Sequence, residues 1–90
     1  MSYRKGRYQN GQLHRDNDLP AVEWVSGIKH WYRNGQRHRE NGPAIYYANV
    51  DKCWYQNGKY YRENGPVIEY ANGINIYFKN GKLIDPYVHD

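Results

Sequence analysis

Asn-Gly falls at Asn10-Gly11, Asn34-Gly35, Asn57-Gly58 and Asn80-Gly81, spaced 24, 23 and 23 residues apart. Both residues of such a pair accept positive φ, which tight two-residue hairpin turns demand. A related string follows each of the first three turns: Gln12-Leu13-His14-Arg15-Asp16-Asn17, Gln36-Arg37-His38-Arg39-Glu40-Asn41 and Lys59-Tyr60-Tyr61-Arg62-Glu63-Asn64. Then come Pro20-Ala21-Val22-Glu23-Trp24, Pro43-Ala44-Ile45-Tyr46-Tyr47 and Pro66-Val67-Ile68-Glu69-Tyr70. Residues 1–90 therefore read as a single domain of about three and a half copies of a 23-residue unit. The units lie at about 8–30, 31–53 and 54–76, with a partial copy at 77–85 and a tail at 86–90. In the first unit Asp18-Leu19 stands where Gly42 and Gly65 stand later, which reads as a bulge or a longer turn.

A further turn position recurs at Gly27, Val50 and Gly73, and an aromatic pair closes each unit: Trp31-Tyr32, Trp54-Tyr55 and Tyr77-Phe78. Between turns lie short segments rich in Tyr, Trp, Val and Ile, and no window carries apolar residues at helical spacing over ten or more positions. The fold class is therefore all-β, an antiparallel meander. Strands are expected at 28–33, 44–48, 52–56, 67–71 and 74–79, followed by a short tail strand. The stretch after each Asn-Gly reads either as a structured loop or as one holding a short extra strand at 36–39.

Period-two alternation divides the side chains between two faces. Val22/Trp24, Ile45/Tyr47 and Ile68/Tyr70 point one way, opposite to Glu23, Tyr46 and Glu69. His30/Tyr32, Cys53/Tyr55 and Ile76/Phe78 share a face, and Lys29/Trp31, Lys52/Trp54 and Asn75/Tyr77 share its opposite. One sheet cannot bury both faces of itself, so something is expected to cover one of them. The aromatic content of 17%, eleven residues of it Tyr, suits half-exposed side chains rather than a thick dry core.

These residues resemble MORN-type repeats, in which an aromatic followed by x-Asn-Gly-Lys-x-His-Gly-x-Gly opens a hairpin of one elongated, twisted sheet. Tyr32-Arg33-Asn34-Gly35-Gln36-Arg37-His38 and Tyr55-Gln56-Asn57-Gly58-Lys59 match the front of that unit, and Tyr47-Ala48-Asn49 and Tyr70-Ala71-Asn72-Gly73 its tail. The resemblance runs from about Tyr8 to Asp85. It departs after the histidine, where Gly-x-Gly becomes Arg39-Glu40-Asn41-Gly42-Pro43. That variant is similar to repeats of bacteriophage and large DNA virus proteins. The resemblance implies a scaffold or interaction module and, through the viral variant, a small modulator that occupies a host protein's surface.

The net charge of +4 supports solubility and mild attraction to anions without diagnosing a nucleic-acid binder. Cys53 is the single cysteine, so no intrachain disulfide forms and a reducing compartment is the default. No apolar run approaches the roughly 20 residues of a membrane span, and Met1-Ser2-Tyr3-Arg4-Lys5-Gly6 is not a signal peptide. A cytoplasmic protein is expected, in the host cytoplasm if the source is viral.

His14 and His38 occupy equivalent positions, but equivalent atoms two strands apart lie about 9–10 Å from each other, too far for one zinc. No metal or cofactor is expected. Arg15, Arg39 and Arg62, followed by Asp16, Glu40 and Glu63, read as a structural ladder pairing with those acids or stacking on a neighbouring ring. A row of guanidinium groups for an anionic partner is the alternative. Cys53 reads as a small buried filler, and no one-off constellation of the kind catalysis needs is present, so an enzyme is not expected.

Trp31, Trp54 and Tyr77, with Tyr46, Lys29 and Lys52 on the same face, are the expected partner-binding residues. Covered by a second layer or another copy these rings are core; left uncovered they form an aromatic strip for a protein partner. Base stacking on the rings with phosphates on the lysines makes a nucleotide or single-stranded nucleic acid the alternative ligand.

Overall fold

A computed structural model describes residues 4–85. The described residues contain strands and turns and no helix. In chain order the strands are β1 Arg4–Gly6, β2 Tyr8–Gln9, β3 Gln12–Leu13, β4 Val22–Trp24, β5 Lys29–His30, β6 Tyr32–Arg33 and β7 Gln36–Arg37. There follow β8 Ile45–Tyr46, β9 Lys52–Cys53, β10 Tyr55–Gln56, β11 Lys59–Tyr60, β12 Ile68–Glu69, β13 Asn75–Lys79 and β14 Lys82–Ile84. Eight of them form one open antiparallel sheet, β1-β4-β5-β8-β9-β12-β13-β14, not closed into a barrel. Three hairpins, β2-β3, β6-β7 and β10-β11, stand beside it. The molecule is elongated, 45 × 29 × 19 Å.

The four Asn-Gly turns have the geometry their composition demands. Asn10, Asn34, Asn57 and Asn80 take φ of 52, 50, 52 and 51°, each followed by a glycine at 76 to 81°. Strands 28–33 and 52–56 do not run unbroken. Trp31 donates its N–H to the Ala44 carbonyl of the main sheet (2.8 Å) but accepts at its own carbonyl from His38 of the hairpin (3.1 Å). Trp54 divides its bonds in the same way between Val67 (2.8 Å) and Tyr61 (3.2 Å). Each tryptophan is the joint where one strand passes from sheet to hairpin. The return stretch does hold an extra strand, at Gln36–Arg37.

Register places Val22, His30, Ile45, Cys53, Ile68 and Ile76 across one face of the main sheet. Lys5, Glu23, Lys29, Tyr46, Lys52, Glu69 and Asn75 line its opposite, as alternation requires. The buried core joins Ile45, Cys53 and Ile68 of the first face with the adjoining Val67, and Tyr55 and Tyr60 pack against it from the β10-β11 hairpin. On the second face the small residues Ala21 and Ala44 are fully buried, which requires a cover.

Candidate functional site

The cover is the arginine loop. Arg15, Arg39 and Arg62 each turn back and donate through Nη1 to the carbonyls of Pro20, Pro43 and Pro66, at 3.1, 3.2 and 3.1 Å. Gly42 and Gly65 make room, since a Cβ at either would lie 3.1 Å from the Arg39 or Arg62 guanidinium. On its other side the guanidinium sits over an indole: Arg39 lies 3.9 Å from the Trp31 centroid and Arg62 3.8 Å from that of Trp54. A stack of this kind is worth about 0.5–2 kcal/mol, more as water is excluded.

The charges of these arginines are met by acids distant in sequence. Arg15 reaches Glu23 (3.4 Å) and Arg62 reaches Glu69 (2.8 Å). Tyr46 stands at the equivalent place in the middle unit, and Arg39 instead takes Asp18, with Nε 2.8 Å from Oδ1. Asn17 and Asp18, at φ of 65 and 57°, form the longer turn of the first unit. The Asp18 carbonyl also accepts the Trp31 indole N–H at 3.1 Å. The acids beside the arginines pair elsewhere: Asp16 with His14 (2.8 Å) and Glu40 with Arg33 (3.3 Å), while Glu63 makes no ion pair among the described residues.

An uncovered aromatic strip is therefore not what forms on this face. Trp31 is only 7% exposed, capped by Arg39 and by the turn at Asp18. Trp54 and Tyr77 are half-buried, the former under Arg62. Tyr46 leans on Trp31, their rings 5.8 Å apart, with the Lys52 ammonium 5.8 Å from the Tyr46 ring. Lys29 is exposed and faces Glu23 and Tyr46 across the ladder, and Lys52 faces Tyr46 and Glu69. The physical reason for the difference is the guanidinium: it covers the ring that the sheet leaves bare.

The histidines staple hairpin to hairpin. His14 Nδ1 accepts the Asn34 N–H and His38 Nδ1 accepts the Asn57 N–H, both at 3.0 Å. The neighbouring glycine N–H groups bond the Leu13 and Arg37 carbonyls at 2.9 Å. Two otherwise orphaned donors of each turn are thus satisfied by the preceding unit. Among the described residues no three His, Cys, Asp or Glu side chains gather as metal ligands would, and no helix is long and apolar enough to cross a membrane.

The first face carries an open aromatic surface. Tyr47, Tyr60 and Tyr70, with Cys53, Ile68 and Asp51, surround an open hollow of 510 Å³. Tyr47 and Tyr70 remain 39% and 41% exposed while their neighbours Cys53 and Ile68 are buried. Tyr55 and Tyr60 stack at 4.6 Å, and Phe78 meets Tyr60 at 6.1 Å. Burial pushes the hydroxyls of Tyr47 and Tyr55 and the Cys53 thiol above their ordinary pKa values, with a hydrogen bond to Tyr60 adding to the shift at Tyr55. These groups stay neutral near pH 7, so they offer apolar contact and hydrogen bonds rather than a nucleophile. The alternation of the sequence puts Tyr47 and Tyr70 on the more apolar face, opposite to the expected partner-binding residues Trp31, Trp54 and Tyr77. The available signal was Tyr, with its polar tip, standing where a dry core would hold Leu or Ile.

No family model, curated protein or solved structure matches this chain.

Proposed function

We propose that this chain is a non-enzymatic protein-interaction module that also associates with itself, using the tyrosine-lined face of its open sheet. The carrying observation is the half-exposed pair Tyr47 and Tyr70 around an open hollow floored by buried Cys53 and Ile68. A patch of rigid amphipathic rings beside a packed core has the make-up of an interface centre. The reading extends to the sheet edge, where Leu83 and Ile84 of β14 are exposed and, among the described residues, only one side of the strand is paired. Such an edge is relieved when a second copy adds to it or covers it. The resemblance of the sequence to MORN-type repeats points the same way. Base stacking on the opposite face would require Arg39 and Arg62 to leave Trp31 and Trp54.

Sedimentation equilibrium from about 1 to 100 μM, a range in which weak interfaces of this kind dissociate, tests the reading. The wild-type chain is expected to associate, and Tyr47→Ser/Tyr70→Ser to shift toward monomer without unfolding. A wild-type chain that stays monomeric throughout removes the self-association reading.

A further inference from the structure

In a chain built of near-copies, a polar residue that appears once at an otherwise apolar position stands out. Arg37 occupies the place filled by Leu13, Tyr60 and Leu83 in the other units, paired across its hairpin with Tyr32 as they are with Tyr8, Tyr55 and Phe78. Its side chain is half-buried on the tyrosine-lined face, 5.9 Å from the Tyr32 ring and 5.6 Å from that of Tyr55. Arg15, Arg33, Arg39 and Arg62 all hold carboxylates. Arg37, like Arg4 and Arg7, pairs with no carboxylate among the described residues, and it alone of these arginines has a buried Nε without a partner. A guanidinium taken partly out of water with no acceptor is destabilising, and local rules broken without compensation concentrate at functional sites.

A second departure lies beside the first. His30 stands where the next units have Cys53 and Ile76, and it stacks on the same Tyr32 ring at 6.2 Å and 6°. Burial, then Arg37, then Arg4 hold the imidazole below its ordinary pKa. The carboxylate that lines the hollow, Asp51, is committed to the Ala71 N–H (2.7 Å) and to Asn49.

We propose that Arg37, between Tyr32 and Tyr55 and beside His30, is the anchor for a carboxylate side chain of a partner protein whose flanking apolar residues enter the tyrosine-lined hollow. The planar fork of arginine matches a carboxylate in a bidentate pair, and the rings on either side exclude water from it. Arg37 lies 5.6 Å from the Tyr55 ring, and Tyr55 stacks on Tyr60, which borders the hollow, so one pair of rings joins anchor to hollow. A guanidinium set between two rings fits one acid in a peptide, whereas Arg4, the other cation acting on His30, donates to the Tyr8 hydroxyl and lies 5.9 Å from the Trp24 ring. A polyphosphate backbone is held instead by cations in a row, and Lys29 and Lys52 lie on the opposite face of the sheet.

This inference rests on the protein-interaction reading and specifies the partner's chemistry. The test titrates the full chain with the capped peptide Ala-Phe-Glu-Leu-Ala, its Gln counterpart, and a single-stranded oligonucleotide, following the Tyr32 and Tyr55 ring resonances. The Glu peptide is expected to bind about tenfold or more tighter than the Gln peptide, the scale of one charge-assisted pair. Arg37→Leu, which installs the residue found at positions 13 and 83, should fold and lose that preference. Arg37→Lys, which keeps the charge without the fork, should retain part of it. Equal binding of the two peptides, no saturable shift with either, an unchanged preference in folded Arg37→Leu, or an Arg37-dependent response to the oligonucleotide alone would each overturn the proposal. Sedimentation of the same samples reads self-association separately, so wild type that associates but ignores the Glu peptide sinks this inference and leaves the module reading standing.

Discussion

Arg39 is held by Asp18, 21 residues earlier, with Nε 2.8 Å from Oδ1 and Nη2 3.3 Å from Oδ2. The middle unit has Tyr46 where Glu23 and Glu69 serve Arg15 and Arg62, and the one-residue insertion in the first unit supplies the missing acid. Asp18→Asn is therefore expected to cost about 1–2 kcal/mol, the range of a charge-assisted bond that is partly buried. Tyr46→Glu in the same chain should restore much of the loss. A urea-denaturation double-mutant cycle measures this, and additive effects of the two substitutions would deny the substitution of one acid for the other.

Val50 is the one β-branched residue of the described chain at positive φ, 66°, where Gly27 and Gly73 take 101 and 92° at the equivalent turns. Left-handed geometry costs an L-residue about 1–2 kcal/mol, and the Val50 side chain, 60% exposed, recovers little by burial. Val50→Gly should raise stability by about 0.5–1 kcal/mol, after allowance for the greater freedom of glycine in the unfolded chain. Thermal and urea midpoints both report it. An unchanged or lowered midpoint would mean that the turn is not strained.

The turns and the division of side chains between faces were readable from the sequence because both depend on neighbours in the chain. Asn-Gly demands positive φ locally, and alternation sorts Ile45 from Tyr46 whatever the sheet packs against. The cover on the second face was not readable to the same degree. Whether Trp31 is bare depends on Arg39 folding back over it and on Asp18 arriving from the preceding unit, both set by tertiary packing. Acids adjacent to the arginines were the natural partners by sequence distance. Glu40 instead turns to Arg33, and the acids that meet Arg15 and Arg62 return from beyond the loop. The breaks at Trp31 and Trp54 escaped for a related reason: each divides its backbone bonds between two partners, which side-chain pattern does not encode. Arg37 carried a signal in the comparison of units, as the odd residue among Leu13, Tyr60 and Leu83.

The histidine staple differs between units in a way that a pair of substitutions can separate. His38→Ala removes the acceptor of the Asn57 N–H, and the expected cost is about 1 kcal/mol for the bond, with some loss of packing in addition. Amide exchange at Asn57 and Gly58 should accelerate relative to Asn34 and Gly35, which are held by His14 and Leu13. Tyr61 sits at the equivalent position of the next unit, 48% exposed and bonding no turn amide through its side chain among the described residues. Tyr61→Ala should leave the exchange of the Asn80 amide unchanged. Equal acceleration at both turns would argue against a staple built on the imidazole.

Stability should fall on mild acidification, and His30 supplies the sign. Its folded pKa lies below the ordinary value of 6.5, because burial first, and the Arg37 and Arg4 charges next, disfavour the imidazolium. Between the lowered folded value and 6.5 the unfolded chain binds more protons than the folded one, so stability rises with pH across that window. The contribution is complete above 6.5 and is lost as pH falls through the folded value. Urea midpoints measured from pH 7.5 down to pH 5 should therefore decline, and the decline should be shallower in His30→Ile, which carries the residue found at position 76. The same substitution leaves His14 and His38 in place, so any acid sensitivity it removes belongs to His30. A variant with an undiminished slope would place the titrating group elsewhere and detach His30 from the charge of Arg37.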